Sequence, residues 1–296
     1  MIKDLDLKLL EIFCCIYEEG SLINAAEKMY ISQSTLSFHI KNLENRLGQR
    51  LFYRKGKKLV PTPLADKLYS YAKEIKNLKR KVIEDLSKYT GEGRGILRIG
   101  ASSIPGNYII PQILGTFKNE FNGHLEIELE VSDSLKVYKG VIEGKYDFGI
   151  IGFHPNDDRM EIKKLHEDQI RIASNPGIKQ KVYSLEELKN LPLVVREKGS
   201  GTRRKVEEQL NSKGLSLKDM NVIATFSSNS AIISFLDQVE AYTFMSSIVL
   251  RQNSFLVTLT VIDFPPITRS FYLIKTKDRE LPSTASEFWN FLLKGD

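Results

Sequence analysis

From Pro63 to about Tyr89 no Gly or further Pro interrupts the chain, and this stretch separates two halves with different hydrophobic patterns. Leu64, Leu68, Tyr71, Ile75, Leu78 and Val82 recur at alternating spacings of four and three, with Leu86 and Tyr89 beyond. That is a heptad-like seam on one long helix. The other positions are mostly polar, as in "KEIKNLKRKVIEDLSK", so the apolar stripe is narrow. A narrow stripe suits pairing with a second copy of the helix better than packing on its own domain. "TGEGRG", residues 90–95, reads as a flexible hinge before the next domain.

Ahead of this helix the period is helical. Residues 5–20, "LDLKLLEIFCCIYEEG", place Leu9, Phe13 and Ile16 on one face, and Gly20 stops the run. Ser21 then caps a short helix with Leu22, Ala25, Ala26 and Met29 inward. A tight turn at Tyr30–Ile31 leads to Ser32, which caps "QSTLSFHIKNLENRL", with Leu36, Ile40, Leu43 and Leu47 on its apolar face. Two short helices joined by a tight turn are a helix-turn-helix candidate. Gln33, Ser34, Thr35, Ser37 and His39 crowd the first two turns of the second helix. Short hydrogen-bonding side chains at that end suit the edges of bases in a major groove. "LFYRKGKKLVPT" then reads as a hairpin with Gly56 at its tip, a wing that places Arg54, Lys57 and Lys58 for phosphates or a minor groove.

The charge distribution agrees with a polyanion partner. Residues 1–95 carry 18 Lys and Arg against 12 Asp and Glu, and residues 96–296 carry 25 of each, so the whole net charge of +6 lies in the first third. Arg46, Arg50, Arg54, Lys55, Lys57 and Lys58 run from Glu44 to Asp66 without an intervening acid. A second copy held through the long helix would present two recognition helices to a roughly palindromic site.

After residue 95 strands and helices alternate. "ILRIGA" (96–101), "LEIELEV" (125–131) and "YDFGIIGF" (146–153) read as strands, and residues 105–121 and 134–144 as helices, the first tolerating Pro111 with a kink. This order predicts a mostly parallel sheet with helices on its faces. "IRIAS", "LPLVVRE", "NVIATF" and "AYTFMS" read as strands of a second lobe, with helices at "SLEELKN", "GTRRKVEEQLNSKG" and "NSAIISFLDQV". A strand in "RSFYLIKTKD" and a closing helix with Phe288, Trp289, Phe291 and Leu292 as its apolar face end the chain.

"GSGT", residues 199–202, sits directly before one of these helices. Free N–H groups and the helix dipole make such a turn an anion site. Ser102 and Ser103 stand before the helix near Pro105, and Ser228 and Asn229 before another. Ligands of such sheets bind beyond the carboxyl ends of the strands. Ser102, Ser103, Ser200, Thr202 and Asn229 are therefore the candidate residues for a small anion. The same hydroxyls can instead do no more than cap their own helices. "GSGTRRK" lacks the Gly-Lys-Ser/Thr of a phosphate-binding loop, which opposes a nucleotide hydrolase.

Residues 13–62, "FCCIYEEGSLINAAEKMYISQSTLSFHIKNLENRLGQRLFYRKGKKLVPT", resemble the LysR-type family of bacterial transcriptional regulators. The matching positions are Gly20-Ser21, Ala25-Ala26, Ser32-Gln33-Ser34, Ser37, Ile40, Leu43-Glu44, Leu47-Gly48, Leu51-Phe52, Arg54 and Thr62. The resemblance implies that Gln33, Ser34, Thr35, Ser37 and Phe38 face bases, with Arg54 and Lys57 on the wing. Phe38 stands where a polar or basic side chain is frequent, so its base contact would be apolar. The second half looks like the family's two-lobed α/β effector domain of periplasmic-binding-protein type 2. "GASSIPGNYIIPQIL", "YDFGIIG" and "VREKGSGTR" look most like the branch that regulates sulfur assimilation and carbon fixation.

The expected fold is thus α+β and multidomain: a winged helix-turn-helix at 1–62, a linker and dimerisation helix at 63–89, and the effector-binding domain at 90–296. The expected partners are double-stranded DNA, a small anionic effector, a second copy in a dimer or tetramer, and RNA polymerase. No cofactor, metal site or membrane is expected. The four histidines show no metal-ligand spacing, and no nucleophile or paired-carboxylate site opposes the reading as a non-enzyme. "MIKDLDLKLLEIF" lacks the pattern of a signal peptide, and the adjacent Cys14 and Cys15 fit a reducing cytoplasm. A solute-binding protein without a regulatory role uses the same two-lobed fold. The winged domain opposes that alternative.

Overall fold

A computed structural model describes residues 5–56, 58–89, 94–121, 123–178 and 182–294. The chain forms two compact units, Met1–Gly91 and Glu92–Asp296.

The first unit holds α1 (Leu7–Glu19), α2 (Leu22–Met29), α3 (Gln33–Leu47), the hairpin β1 (Phe52–Lys55) and β2 (Lys58–Pro61), and α4 (Pro63–Tyr89). Each boundary has a local cause. Asp6 caps α1 by accepting the Lys8 N–H at 2.9 Å, and Gly20 ends it at φ 60°, where a Cβ is disfavoured. Tyr30 ends α2 at φ 54° although it is not Gly. Its N–H and that of Ile31 return to the carbonyls of Glu27 and Ala26, which satisfies the helix end and keeps the turn short. Phe13, Ile16, Ala25 and Leu36 are fully buried where the three helices meet. The Glu44 carboxylate accepts the N–H groups of Leu51 (2.8 Å) and Phe52 (3.3 Å), so α3 sets the start of the hairpin. Leu64 and Leu68 of α4 pack on this core. Tyr71, Ile75, Leu78, Val82 and Leu86, further along the same helix, are exposed.

In the second unit the strands are β3 (Arg94–Ser102), β4 (His124–Ser132), β5 (Phe148–Ile151), β6 (Met160–Ser174), β7 (Val182–Tyr183), β8 (Leu193–Arg196), β9 (Val222–Phe226), β10 (Tyr242–Ser246), β11 (Val257–Val261) and β12 (Ile267–Thr276). The helices are α5 (Ile110–Glu120), α6 (Ser134–Ile142), α7 (Leu185–Asn190), α8 (Gly201–Ser212), α9 (Asn229–Gln238), α10 (Ser247–Arg251) and α11 (Ser283–Lys294). The sheet runs β4-β3-β5-β12-β6-β10-β8-β9, with β11 on β6 and β7 on β11. β3 is parallel to β4 and β5, and β8 is parallel to β9 and β10. The long strands β6 and β12 are antiparallel to each other and to their neighbours, and join the two parallel halves into one sheet.

Three differences from the sequence reading have physical reasons. The strand expected at "IRIAS" begins ten residues earlier, at Met160. Residues 160–170 pair along β12 with much of their side-chain surface in water, so charged residues do not break the strand. The helix expected over 105–121 is divided: Pro105–Ile109 form a π-helical turn and α5 starts at Ile110. Pro111 has no N–H for the usual bond, and the wider turn lets the Ile110 N–H reach the Pro105 carbonyl. In the expected hinge, residues 90–93 lie outside the described residues, while Arg94 and Gly95 already belong to β3. A Cβ at Gly95 would collide with the Thr284 side chain of α11, so this glycine serves close packing. β7, α10 and β11 were not foreseen.

The main core of this unit runs through both halves, from Leu97 and Phe148 to Ile232 and Met245, and is closed by Phe288, Trp289 and Leu292 of α11. No described helix is long and apolar enough to cross a membrane.

Candidate functional site

Two surfaces gather the residues singled out in the sequence. The first is the start of α3. Leu36 is fully buried beneath it, and Gln33, Ser34, Thr35 and Phe38 are exposed. Ser37 and His39 are partly exposed. Ser32 caps the helix by accepting the Thr35 N–H at 3.1 Å, and its Oγ also lies 2.8 Å from Ser34 Oγ and 2.7 Å from Thr35 Oγ1. This hydroxyl cluster fixes the first turn. Phe38, 68% exposed, projects an aromatic ring at the next turn, edge-on to His39. Arg54 is exposed on the wing strand β1, paired with Leu59 across the hairpin. Lys57 lies outside the described residues.

The second surface is a cleft of about 740 Å³ at the carboxyl ends of β3, β4, β5, β8 and β9. All five candidate residues, Ser102, Ser103, Ser200, Thr202 and Asn229, line it. The first two come from one parallel half of the sheet and the other three from the second. The amino ends of α6, α8 and α9 meet there too. Capping explains some of these hydroxyls and not others. Ser228 does cap α9, accepting the Ala231 N–H at 3.1 Å. Ser200 stands at the cap position of α8 but makes no capping bond. Ser102 Oγ and Ser200 Oγ are both buried and without a hydrogen-bond partner among the described residues. A buried hydroxyl left unpaired costs on the order of 1–3 kcal/mol.

Two guanidinium groups in the cleft were missed from the sequence. Arg269, on β12, donates through Nε to Asp168 Oδ2 at 2.9 Å and through Nη1 to Thr202 Oγ1 at 3.2 Å. Its Nη2 lies 2.7 Å from the same Asp168 oxygen, close enough for charge attraction but without a hydrogen bond. Burial pushes the Arg269 pKa below its usual value, the Asp168 carboxylate opposes that, and the positive charge of Arg196 adds to it. Arg196 closes β8 and donates to Asn229 Oδ1 at 3.0 Å, to the Ser227 carbonyl at 3.1 Å, and to both oxygens of Glu197. Their sequence signals were faint. Arg269 occupies an inward position in the alternation of "ITRSFYLI", and Arg196 follows three buried aliphatic residues at a strand end. Lys136 and Asp133 also line the cleft, paired at 3.2 Å.

The cleft therefore presents two buried, mutually repelling cations, two unpaired hydroxyls and several helix amino ends. It can hold an anion in place. Among the described residues, no cluster of His, Cys, Asp or Glu could hold a metal ion.

Comparison with known proteins matches the chain in two segments. Residues 7–66 match the bacterial regulatory helix-turn-helix of the lysR family, and residues 90–296 match the LysR substrate-binding domain. The transcriptional regulator CysL of Bacillus subtilis is 33% identical over 82% of this chain and 81% of its own. The transcriptional activator CmpR of Synechocystis is 28% identical over 100% of this chain and 97% of its own. Among solved structures, the LysR family regulator CbnR shares the fold with a TM-score of 0.66 at 16% identity, covering 98% of this chain and 99% of that one. The regulatory domain of Synechocystis CcmR in complex with 2-PG gives a TM-score of 0.59 at 22% identity, covering 68% of this chain and 96% of that one. The proteins that share these two domains are regulators rather than enzymes, and the chain belongs to the LysR family of bacterial transcriptional regulators.

Proposed function

We propose that this regulator senses a small anionic metabolite in the cleft of residues 90–296 and passes the signal to a DNA-binding unit at residues 1–62 through the helix of residues 63–89. One observation carries the anion: Ser102 and Ser200, one from each half of the sheet, keep buried hydroxyls unpaired in a cleft that also holds Arg196 and Arg269. A bound oxyanion would give these unpaired hydroxyls a partner in a cleft whose local charge the two guanidinium groups keep positive. Gln33, Ser34, Thr35, Ser37, Phe38 and His39 read bases, and Arg54 and Lys57 hold the backbone from the wing. The exposed seam on α4 pairs two copies, as a dimer or within a tetramer. The protein works in the cytoplasm and meets RNA polymerase at its promoters.

Thermal unfolding of the full chain against sulfate, thiosulfate, phosphate, O-acetylserine, small dicarboxylates, 2-PG and ATP tests the anion. A ligand at a hundred times its Kd adds about 2.7 kcal/mol, a rise of roughly 5–10 °C for a domain of this size. The expected result is a shift from one small anion that Ser102→Ala combined with Thr202→Val abolishes. A shift that survives both substitutions, or no shift with any anion, counts against the cleft as an anion sensor.

A further inference from the structure

In the cleft, the Arg196 guanidinium is fixed and its counter-ion is not. Arg196 is buried, and bonds to Asn229 Oδ1 and the Ser227 carbonyl hold it from behind. The remaining edge forms a fork with the next residue: Nε donates to Glu197 Oε2 at 2.9 Å and Nη2 to Glu197 Oε1 at 3.0 Å. A planar guanidinium offers this same two-pronged edge to a carboxylate, a phosphate or a sulfate. The edge a ligand anion would use is thus already filled.

The Glu197 side chain is 37% exposed and has no other partner among the described residues. The backbone around it is anchored separately. The Glu197 N–H donates to the Phe226 carbonyl at 3.0 Å, and its carbonyl accepts the Ser200 N–H at 3.2 Å. The carboxylate can therefore swing into water without moving the Gly199–Thr202 turn. Asp168, the partner of the other guanidinium, is its opposite. It has no exposure, and the hydroxyls of Ser246 and Ser247 bind its Oδ1 at 2.9 and 3.1 Å while Arg269 binds its Oδ2. One carboxylate is locked and the other is held only by the fork.

We propose that Glu197 is a built-in occupant of the effector site, whose carboxylate fills the Arg196 fork in the ligand-free protein and is displaced when the anion binds. This rests on the cleft being an anion site. Binding then exchanges one fork for another, and affinity reflects the difference between them. An anion that offers two oxygens to one guanidinium replaces both lost bonds. A halide offers a single acceptor in place of two placed oxygens and competes poorly with the carboxylate. Glu197 thereby raises the concentration of effector needed and selects for oxyanions.

The test titrates sulfate into the full-length protein by calorimetry at constant ionic strength, with chloride as the balancing anion. It uses wild type, Glu197→Gln and Glu197→Ala, and thermal unfolding without sulfate checks that each is folded. Both variants are expected to bind sulfate about tenfold tighter than wild type, because the competing charge pair is gone. Sulfate binding that appears only in the variants supports the same conclusion. Wild-type binding that both variants leave unchanged or weaken overturns the proposal and leaves the anion site standing. No sulfate binding by any of the three also overturns it, while the anion site itself is judged on the wider panel of anions.

Discussion

Asp168 and Arg269 show how a buried charge is tolerated in this protein. The carboxylate is fully desolvated, and three side chains answer it: Arg269, Ser246 and Ser247. The guanidinium in turn binds Thr202, so the floor of the cleft is fixed before any ligand arrives. Removing one partner of such a pair leaves a buried charge without compensation, and here the nearby Arg196 makes that worse. Asp168→Asn is expected to destabilise the protein by about 3–5 kcal/mol in denaturant unfolding. A loss below about 1 kcal/mol would mean that the pair behaves like an exposed one. Cys14 belongs to the other kind of buried group. Burial in α1 pushes its thiol up to about 11, which leaves it protonated and inert near neutral pH.

At the scale of elements, α4 divides along its length into a packed start and an exposed apolar face. Its first turns are sealed against the core by Leu64 and Leu68, and Lys79 meets Glu11 of α1 at 2.8 Å. Tyr71, Ile75, Leu78 and Val82 keep heptad spacing and, with Leu86 beyond them, face solvent, with Leu78 61% exposed. A second α4 would cover them. Leu78→Asp should weaken self-association at least a hundredfold in sedimentation equilibrium, since each buried Leu is worth about 1.5–3 kcal/mol and a symmetric pair loses two. An unchanged association constant would place the interface elsewhere. The elements legible in the sequence were those whose ends announce themselves, such as α1 with Gly20 or α3 with Ser32 and Gly48. Strand β6 extends past its sequence signal because the charges of Lys163, Lys164 and Glu167 interrupt the apolar pattern, and pairing with β12 makes them a strand. The serines of the cleft were legible because hydroxyls and glycines before helices form a local pattern. Arg196, Glu197, Arg269 and Asp168 were not, because what matters about them is which distant residue each one meets.

Over the whole molecule, charge and chemistry are divided. The excess of positive charge sits with the recognition helix and wing, while the cleft lies in a unit whose charges balance. Such a division suits a protein that holds a polyanion with one part and weighs a small anion with the other. For the small anion to regulate, it must bind two assembly states with different affinity, and the coupling must act in both directions. The most direct test measures the affinity of the full chain for DNA from its own upstream region, at one fixed salt concentration, with and without the anion that raises its melting temperature. The expected result is a change of about fivefold or more in DNA affinity, with the same DNA changing anion affinity by an equal factor. An anion that binds while DNA affinity stays the same, with DNA leaving anion affinity unchanged in return, would contradict a sensor coupled to the DNA-binding unit.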